Sequence, residues 1–266
     1  MYHMDTLDGT RRLQDASVDL IVADPPYNIS VADWDEIDGY MDWMRELIAE
    51  WRRVLSPSGT LYVYCSQQYM ADIEMALRPL FDIQNRIVWT YDNGQRQATE
   101  RFSMGYDPLF RAVPRGAKSW AFNLDDVRDG HVWDGVRTKR QPNGHLTITR
   151  SHPNGRRPLD VWNFPRLTGS NRNGHPSPKP EALSEYIIKA SSNPGDLVLV
   201  PFGGSGSECV AAARLGRDFV SFELDERYIA LINERLDALA NGQPTQTVKL
   251  RQDPTTVRLV QERLFV

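Results

Sequence analysis

Two hydrophobic spacings alternate along the chain. Ser17-Val18-Asp19-Leu20-Ile21-Val22-Ala23 is a short β-branched run that stops at Asp24-Pro25-Pro26-Tyr27. Two prolines neither continue a central strand nor donate its ladder bonds, so the run predicts a strand entering a rigid loop. From about Tyr40 to Leu55 the apolar positions Trp43, Leu47, Ile48, Trp51 and Leu55 recur at helical spacing, closed by Ser56-Pro57-Ser58-Gly59. Thr60–Cys65 then reads as a buried strand, 68–77 as a helix and 84–90 as a third strand. The alternation resumes with a helix over 180–191, a turn at Asn193-Pro194-Gly195-Asp196 and the strand Leu197-Val198-Leu199-Val200. A glycine-rich stretch, Pro201-Phe202-Gly203-Gly204-Ser205-Gly206-Ser207, leads into a helix over 208–215, a strand over 218–224 and a helix over 226–239. This order predicts an α/β fold: a Rossmann-like, doubly wound, mostly parallel sheet with helices on both faces.

Between about Asp92 and Arg172 the periodicity fades, and Gly, Pro, Asn and Arg dominate. The stretch reads as an inserted irregular region of loops and short elements, dividing the chain into 1–91, 92–172, 173–240 and a tail, 241–266. The tail holds two short alternating runs, 247–251 and 256–260, without an assignable role.

With 41% hydrophobic and 25% charged positions over 266 residues, the composition is that of a globular protein. No apolar stretch approaches the roughly 18 residues of a membrane span, and the first thirty residues lack a signal-peptide pattern, so a soluble intracellular protein is expected. Cys65 and Cys209 cannot form a disulfide framework, and the five histidines lack cysteine partners at ligand spacing, so no metal is expected. Charge changes the picture more. From Arg86 to Arg172 there are 15 Lys and Arg against 8 Asp and Glu, whereas the remainder has 16 against 27. A basic segment on an acidic scaffold is the signature of a polyanion contact.

Two loops carry candidate chemistry. In the glycine loop the missing Cβ atoms let backbone N–H groups approach a ligand, and Glu223 at the end of the following strand can accept hydrogen bonds from both hydroxyls of a ribose. The pairing points to a nucleoside, but the loop lacks the third glycine of a dinucleotide fingerprint and the lysine of a P-loop. In Asp24-Pro25-Pro26-Tyr27 a carboxylate and a proline carbonyl form two rigid acceptors, which suits an exocyclic amino group with two N–H bonds. Tyr27 offers a flat ring for a planar base.

These motifs resemble those of the S-adenosylmethionine-dependent DNA amino-methyltransferases, specifically the permuted β group, in which the catalytic loop comes first, a target-recognition region follows and the cofactor loop comes last. The resemblance extends through Ser17–Ile21, Trp34-Asp35 with Tyr40 and Trp43, Arg53-Val54-Leu55 with Pro57 and Gly59, His175-Pro176-Ser177-Pro178-Lys179-Pro180, and Glu223 with Tyr228. It implies a catalytic half over 1–91, a target-recognition insert over 92–172 and a cofactor-binding half over 173–240. It further implies that Asp24, Pro25, Pro26 and Tyr27 form the catalytic loop. Phe202, Gly203, Gly204, Ser205, Gly206, Glu223 and Leu224 are then expected to hold the cofactor, with Asp5 near its adenine and His175, Ser177 and Lys179 near its methionine end. Arg137, Lys139, Arg140, Arg150, Arg156, Arg157, Arg166 and Arg172 become candidate contacts to double-stranded DNA.

There are two departures. The family's usual Asp-Pro-Phe appears as Val200-Pro201-Phe202, removing a carboxylate expected beside a cationic cofactor, and its His-Pro-Thr-Gln-Lys-Pro appears as His175–Pro180 with Ser and Pro inside. Asp at position 24 favours adenine N6 as the target, with cytosine N4 as the alternative. A DNA-binding module impaired in catalysis, marked by Val200, and an RNA or protein-amide methyltransferase are the competing readings. No Pro-Cys dipeptide is present for C5 attack, so both cysteines are expected in the core. The resemblance also brings a homodimer and a cognate restriction endonuclease as candidate partners, and a bacterial cytoplasm, reached by a bacterial or a phage-encoded protein, as the location.

Overall fold

The β-branched run forms strand β2 (Val18–Ala23), and all but one of its residues are buried, because the strand is central and covered on both faces. A computed structural model describes every residue except 31, 93–99, 101, 131–135, 151, 170–171 and 250–266, and leaves out the side chains of 136, 137, 149 and 247. Most of the tail, including the run 256–260 and the end of 247–251, therefore lies outside the described residues, as does His131 of the insert.

β2 is followed by helix α2 (Tyr40–Val54), whose apolar stripe buries Met44, Leu47, Ile48 and Trp51, and by strand β3 (Leu55–Tyr64). Helix α3 (Met70–Leu77) leads into β4 (Phe81–Thr90). In the C-terminal half, α4 (Glu181–Ser191), β9 (Leu197–Val200), α5 (Ser207–Arg214), β10 (Asp218–Glu223) and α6 (Glu226–Ala240) follow the predicted order. Two N-terminal elements carry too few periodic residues to be read from sequence: β1 (Tyr2–His3), parallel to β10, and the six-residue α1 (Thr6–Arg11), capped by the Asp5 carboxylate.

The eight-stranded sheet runs in the order β1-β10-β9-β2-β3-β5-β4-β8, where β5 is Tyr106–Pro114 and β8 is Val161–Asn163. β5 is antiparallel to both neighbours, and the other pairings are parallel. This corrects the reading of 92–172 as loops and short elements. Nine of its residues form an interior strand, and three more form the edge. β5 was hidden because its run is broken by Pro108 and Arg111, yet both fit: Pro108 lies near one end, and the Arg111 side chain lies over the Phe122 ring at 4.7 Å. A second sheet is the hairpin β6 (Val136–Arg140) and β7 (Leu146–Arg150).

Apolar clusters fill both faces of the large sheet. One gathers Ile21, Leu47, Trp51, Val63, Phe110 and Leu199 under α2 and α3. The other gathers Val22, Tyr62, Trp89, Ile187, Val198 and Ile229 under α4 and α6. Cys65 and Cys209 are fully buried in these clusters, and burial pushes both thiols up, Cys209 to about 12. Neither forms a thiolate nucleophile at neutral pH. Among the described residues no helix is long and apolar enough to cross a membrane.

Candidate active site

β2 and β9 are parallel neighbours, with Ile21 opposite Leu199. From β2 the chain winds toward β3, and from β9 it winds the opposite way toward β10, so their carboxyl ends meet at the topological switch point of the sheet. The loops that leave these two ends are Asp24–Tyr27 and Pro201–Gly206. Both line one cavity of about 710 Å³, within the range of a site that buries a small ligand.

The acidic loop is clamped from below. Asp35 in a turn of 3₁₀ helix accepts hydrogen bonds from the backbone N–H groups of Asn28 (2.8 Å) and Ile29 (3.0 Å). The Tyr40 hydroxyl donates to the Pro26 carbonyl at 2.8 Å. Asn28 and Ser30 sit at φ of 54° and 58°, a left-handed conformation that these clamps hold in place. Within the loop, Lys179 Nζ donates to Asp24 Oδ2. Asp24 Oδ1 and the Tyr27 hydroxyl are buried without hydrogen-bond partners. Lys179 is 4% exposed, and its Nζ lies 5.3 Å from the Tyr27 ring centroid and 5.1 Å from that of Tyr64. The structure thus engages Lys179 with the acid.

The glycine loop is shaped by close approach. Gly206 has a φ of 80°, and a Cβ there would lie 2.5 Å from Ile232 Cγ1 on α6. Beneath the loop, buried Arg235 donates to the Ser205 carbonyl and, at 2.5 Å, to Glu181. Glu223 closes the far end. Its Oε2 accepts from Gly204 N at 2.7 Å, and its Oε1 accepts from Leu224 N and Asp225 N at 2.8 and 2.9 Å. Desolvation nevertheless raises its pKa, with the backbone donors opposing. Asp5 serves first as the cap of α1, accepting from Leu7 N at 2.8 Å, and also lines the cavity with Leu224.

His175 stands between Trp34, stacked at 6.0 Å, and Tyr228 at 4.6 Å. Its Nδ1 accepts from Ser177 N at 3.2 Å. Burial, followed by the positive charge of Lys179, lowers its pKa to about 3, so the ring is neutral at pH 7. Every predicted residue of the two loops and of the His175–Lys179 segment lines this one cavity except Gly206, which forms its turn from behind.

The side chain of Val200 is fully buried in the apolar cluster with Val22 and Ile187 and does not line the cavity. The carboxylate that sequence reasoning missed is Glu208, in the first turn of α5, 5% exposed and part of the cavity lining. The one signal was an acid set in the otherwise small and apolar stretch Cys209–Ala213.

The candidate polyanion contacts are dispersed. Lys139, Arg140 and Arg150 are exposed on the β6–β7 hairpin, and Arg157 is exposed as well. The Arg137 side chain is outside the described residues. Arg156 is ion-paired to Asp129, with Nε 2.6 Å from Oδ2. Arg172 donates to the Leu167 carbonyl at 3.3 Å. The Arg166 guanidinium lies 4.5 Å from the Tyr91 ring centroid.

Fold and loops together define a Rossmann-like methyl-transfer enzyme. A family model described as DNA methylase matches residues 18–234, and the chain belongs to this N6/N4 family. Over 95% of this chain and 87% of the relative, it is 36% identical to the DNA adenine methyltransferase YhdJ of Escherichia coli. Over 94% of this chain and 78% of the relative, it is 31% identical to the type II methyltransferase M.HpaI of Haemophilus parainfluenzae. Among solved structures, the M1.HpyAVI–SAM complex aligns with a TM-score of 0.58 at 26% identity, covering 88% of this chain and 97% of that one. The cytosine-N4-specific PvuII DNA methyltransferase shares the fold with a TM-score of 0.66 at 16% identity, covering 91% and 93%.

Proposed function

We propose that this DNA methyltransferase uses S-adenosylmethionine to methylate the exocyclic N6 of adenine in double-stranded DNA. The observation that carries the reading is the meeting of the Asp24 loop and the glycine cradle in one cavity, with Asp24 Oδ1 buried and unpartnered. The cavity suits the cofactor: a Cβ on Gly204 would stand 3.4 Å from Nε2 of the cavity-lining His175, and Glu223 presents a desolvated carboxylate at the far end. Adenine is favoured by Asp at position 24 and by the name of the Escherichia coli relative.

When bound, the cofactor supplies an electrophilic methyl group on a sulfonium. Phe202, Gly203, Gly204, Ser205 and Gly206 shape its seat, Glu223 and Leu224 meet its ribose end, Asp5 lies toward its adenine, and His175 and Ser177 lie toward its amino-acid end. Lys179 fixes Oδ2 of Asp24, so that Oδ1 accepts one amine N–H and the Pro25 carbonyl the other. Those two hydrogen bonds draw the nitrogen lone pair out of conjugation, and Oδ1 is placed to receive the proton the amine sheds. Pro26, held by Tyr40, keeps the loop rigid, while Tyr27 supplies the stacking surface for a base extruded from the helix. Extrusion costs a few kcal/mol, offset by stacking and by phosphate contacts.

Lys139, Arg140, Arg150 and Arg157 are the exposed basic side chains that best suit phosphate contact, which supports reading 92–172 as the target-recognition region. Type II names among the relatives support a restriction endonuclease as a functional partner in a bacterial cytoplasm. The assay is transfer from labelled S-adenosylmethionine to mixed genomic DNA, with nucleoside digestion, mass spectrometry and Asp24→Ala as control. N6-methyladenine that disappears in the variant is expected. N4-methylcytosine would move the base, and no methylated nucleoside would overturn the DNA substrate.

A further inference from the structure

Methyl transfer erases a full positive charge: the cofactor arrives as a sulfonium and leaves as a neutral thioether. The Asp24 carboxylate is already matched by Lys179 Nζ. Glu223 is tied down by three backbone donors at the other end of the cavity. Glu208 is a remaining acid in the wall near Asp24. Its Oε1 accepts from Ser184 Oγ at 2.9 Å, and the adjacent Ser207 hydroxyl donates to the Lys179 carbonyl at 2.7 Å, which sets Glu208 and Lys179 on the same wall. Val200, at the end of β9, is buried in the apolar core and adds no charge to the cavity wall.

We propose that Glu208 is the carboxylate that balances the sulfonium of the bound cofactor and so lets the enzyme distinguish S-adenosylmethionine from its demethylated product. The inference rests on the cofactor reading above. The sulfonium must stand in line with an amine held at Asp24, and Glu208 lies within electrostatic reach of Asp24 and Lys179. Burial, followed by the negative charge of Asp24, raises the Glu208 pKa, while Lys179 and the Ser184 hydrogen bond oppose the rise. Tyr64 on β3 and Cys209 on α5 face the same carboxylate, with Arg235 of α6 acting on Cys209. In this setting the acid retains its proton more readily than an exposed one, and an arriving cation favours its release. Affinity for the charged ligand then rises with pH until Glu208 is ionised in the free protein, whereas affinity for the neutral thioether does not follow that rise.

The test is calorimetric binding of S-adenosylmethionine and S-adenosylhomocysteine to the full chain from about pH 5, just above the ordinary glutamate value, to pH 9. The two ligands share adenosine, amine and carboxylate, so their affinity ratio isolates the sulfonium. Glu208→Gln is expected to weaken the methionine form by roughly tenfold, one pKa unit of interaction, with the homocysteine form within about twofold and the ratio no longer changing with pH. An unchanged ratio and pH dependence in Glu208→Gln would overturn the inference. If that variant binds neither ligand, Glu208→Asp decides: a retained preference for the methionine form supports the assignment, and a lost one overturns it. Wild-type protein that binds neither ligand would overturn the cofactor reading itself, a different outcome from an unchanged ratio.

Discussion

Asp24 and Lys179 form an ion pair in which the lysine side chain is almost fully buried and the aspartate is partly exposed. Removing one partner leaves a buried charge unmatched, at a cost of about 3 kcal/mol, whereas removing both costs much less. Asp24→Asn is therefore expected to lower the melting temperature and to reduce methyl transfer by at least about a hundredfold. Asp24→Asn combined with Lys179→Met should regain stability without regaining transfer. A double variant as unstable as the single one would refute the pairing argument. His175 sets an acid limit. Its folded pKa of about 3 lies below the unfolded value of 6.5, so its contribution is complete above pH 6.5 and is lost as pH falls toward 3. Between pH 7 and 5 the loss is on the order of 1–2 kcal/mol, measurable by urea unfolding at both pH values, and His175→Gln should flatten it.

At the scale of elements, the steep constraint is the turn into α5. Gly206→Ala demands a left-handed alanine and a displacement of Ile232, so a cost of about 2 kcal/mol or more is expected in thermal unfolding, with weakened cofactor affinity. Strands β2, β3, β9 and β10 are legible because their runs are short, β-branched and bounded by Pro, Gly or Asp, and the two loops are legible because Asp-Pro-Pro-Tyr and Gly-Gly-Ser-Gly are chemically specific. β5 was not, since its identity comes from two antiparallel neighbours rather than from its own sequence, and Arg111 looks like a surface residue until the Phe122 ring is placed beside it. Glu208 was overlooked for a related reason: a single acid in a helix reads as solvated unless the fold buries it.

Over the whole molecule, a net charge of −4 opposes association with a polyanion, so binding must depend on where the basic side chains stand. Register places Arg140 and Arg150 on one face of the β6–β7 hairpin, with Lys139 on the other. Reversing Lys139, Arg140 and Arg150 to Glu is expected to weaken duplex binding at least about tenfold at 100 mM salt while leaving cofactor binding intact. The slope of log affinity against log salt should become shallower by about one to three, and an unchanged slope would remove the hairpin from the DNA contact.

The pairing of β2 with β9 also has a temporal side. Ile21 and Leu199 pair although 178 residues separate them in the sequence. At ribosomal speeds of about 5–20 residues per second, β2 leaves the ribosome on the order of ten to thirty seconds before its partner strand is made. During that interval one edge of this central, largely buried strand is open, and no cofactor can hold the nascent protein together. Contacts this distant in sequence are slow to form. Newly made chains should therefore depend on chaperones until β9 docks, and the enzyme gains its cofactor seat only once the glycine turn and Glu223 have followed β9 off the ribosome.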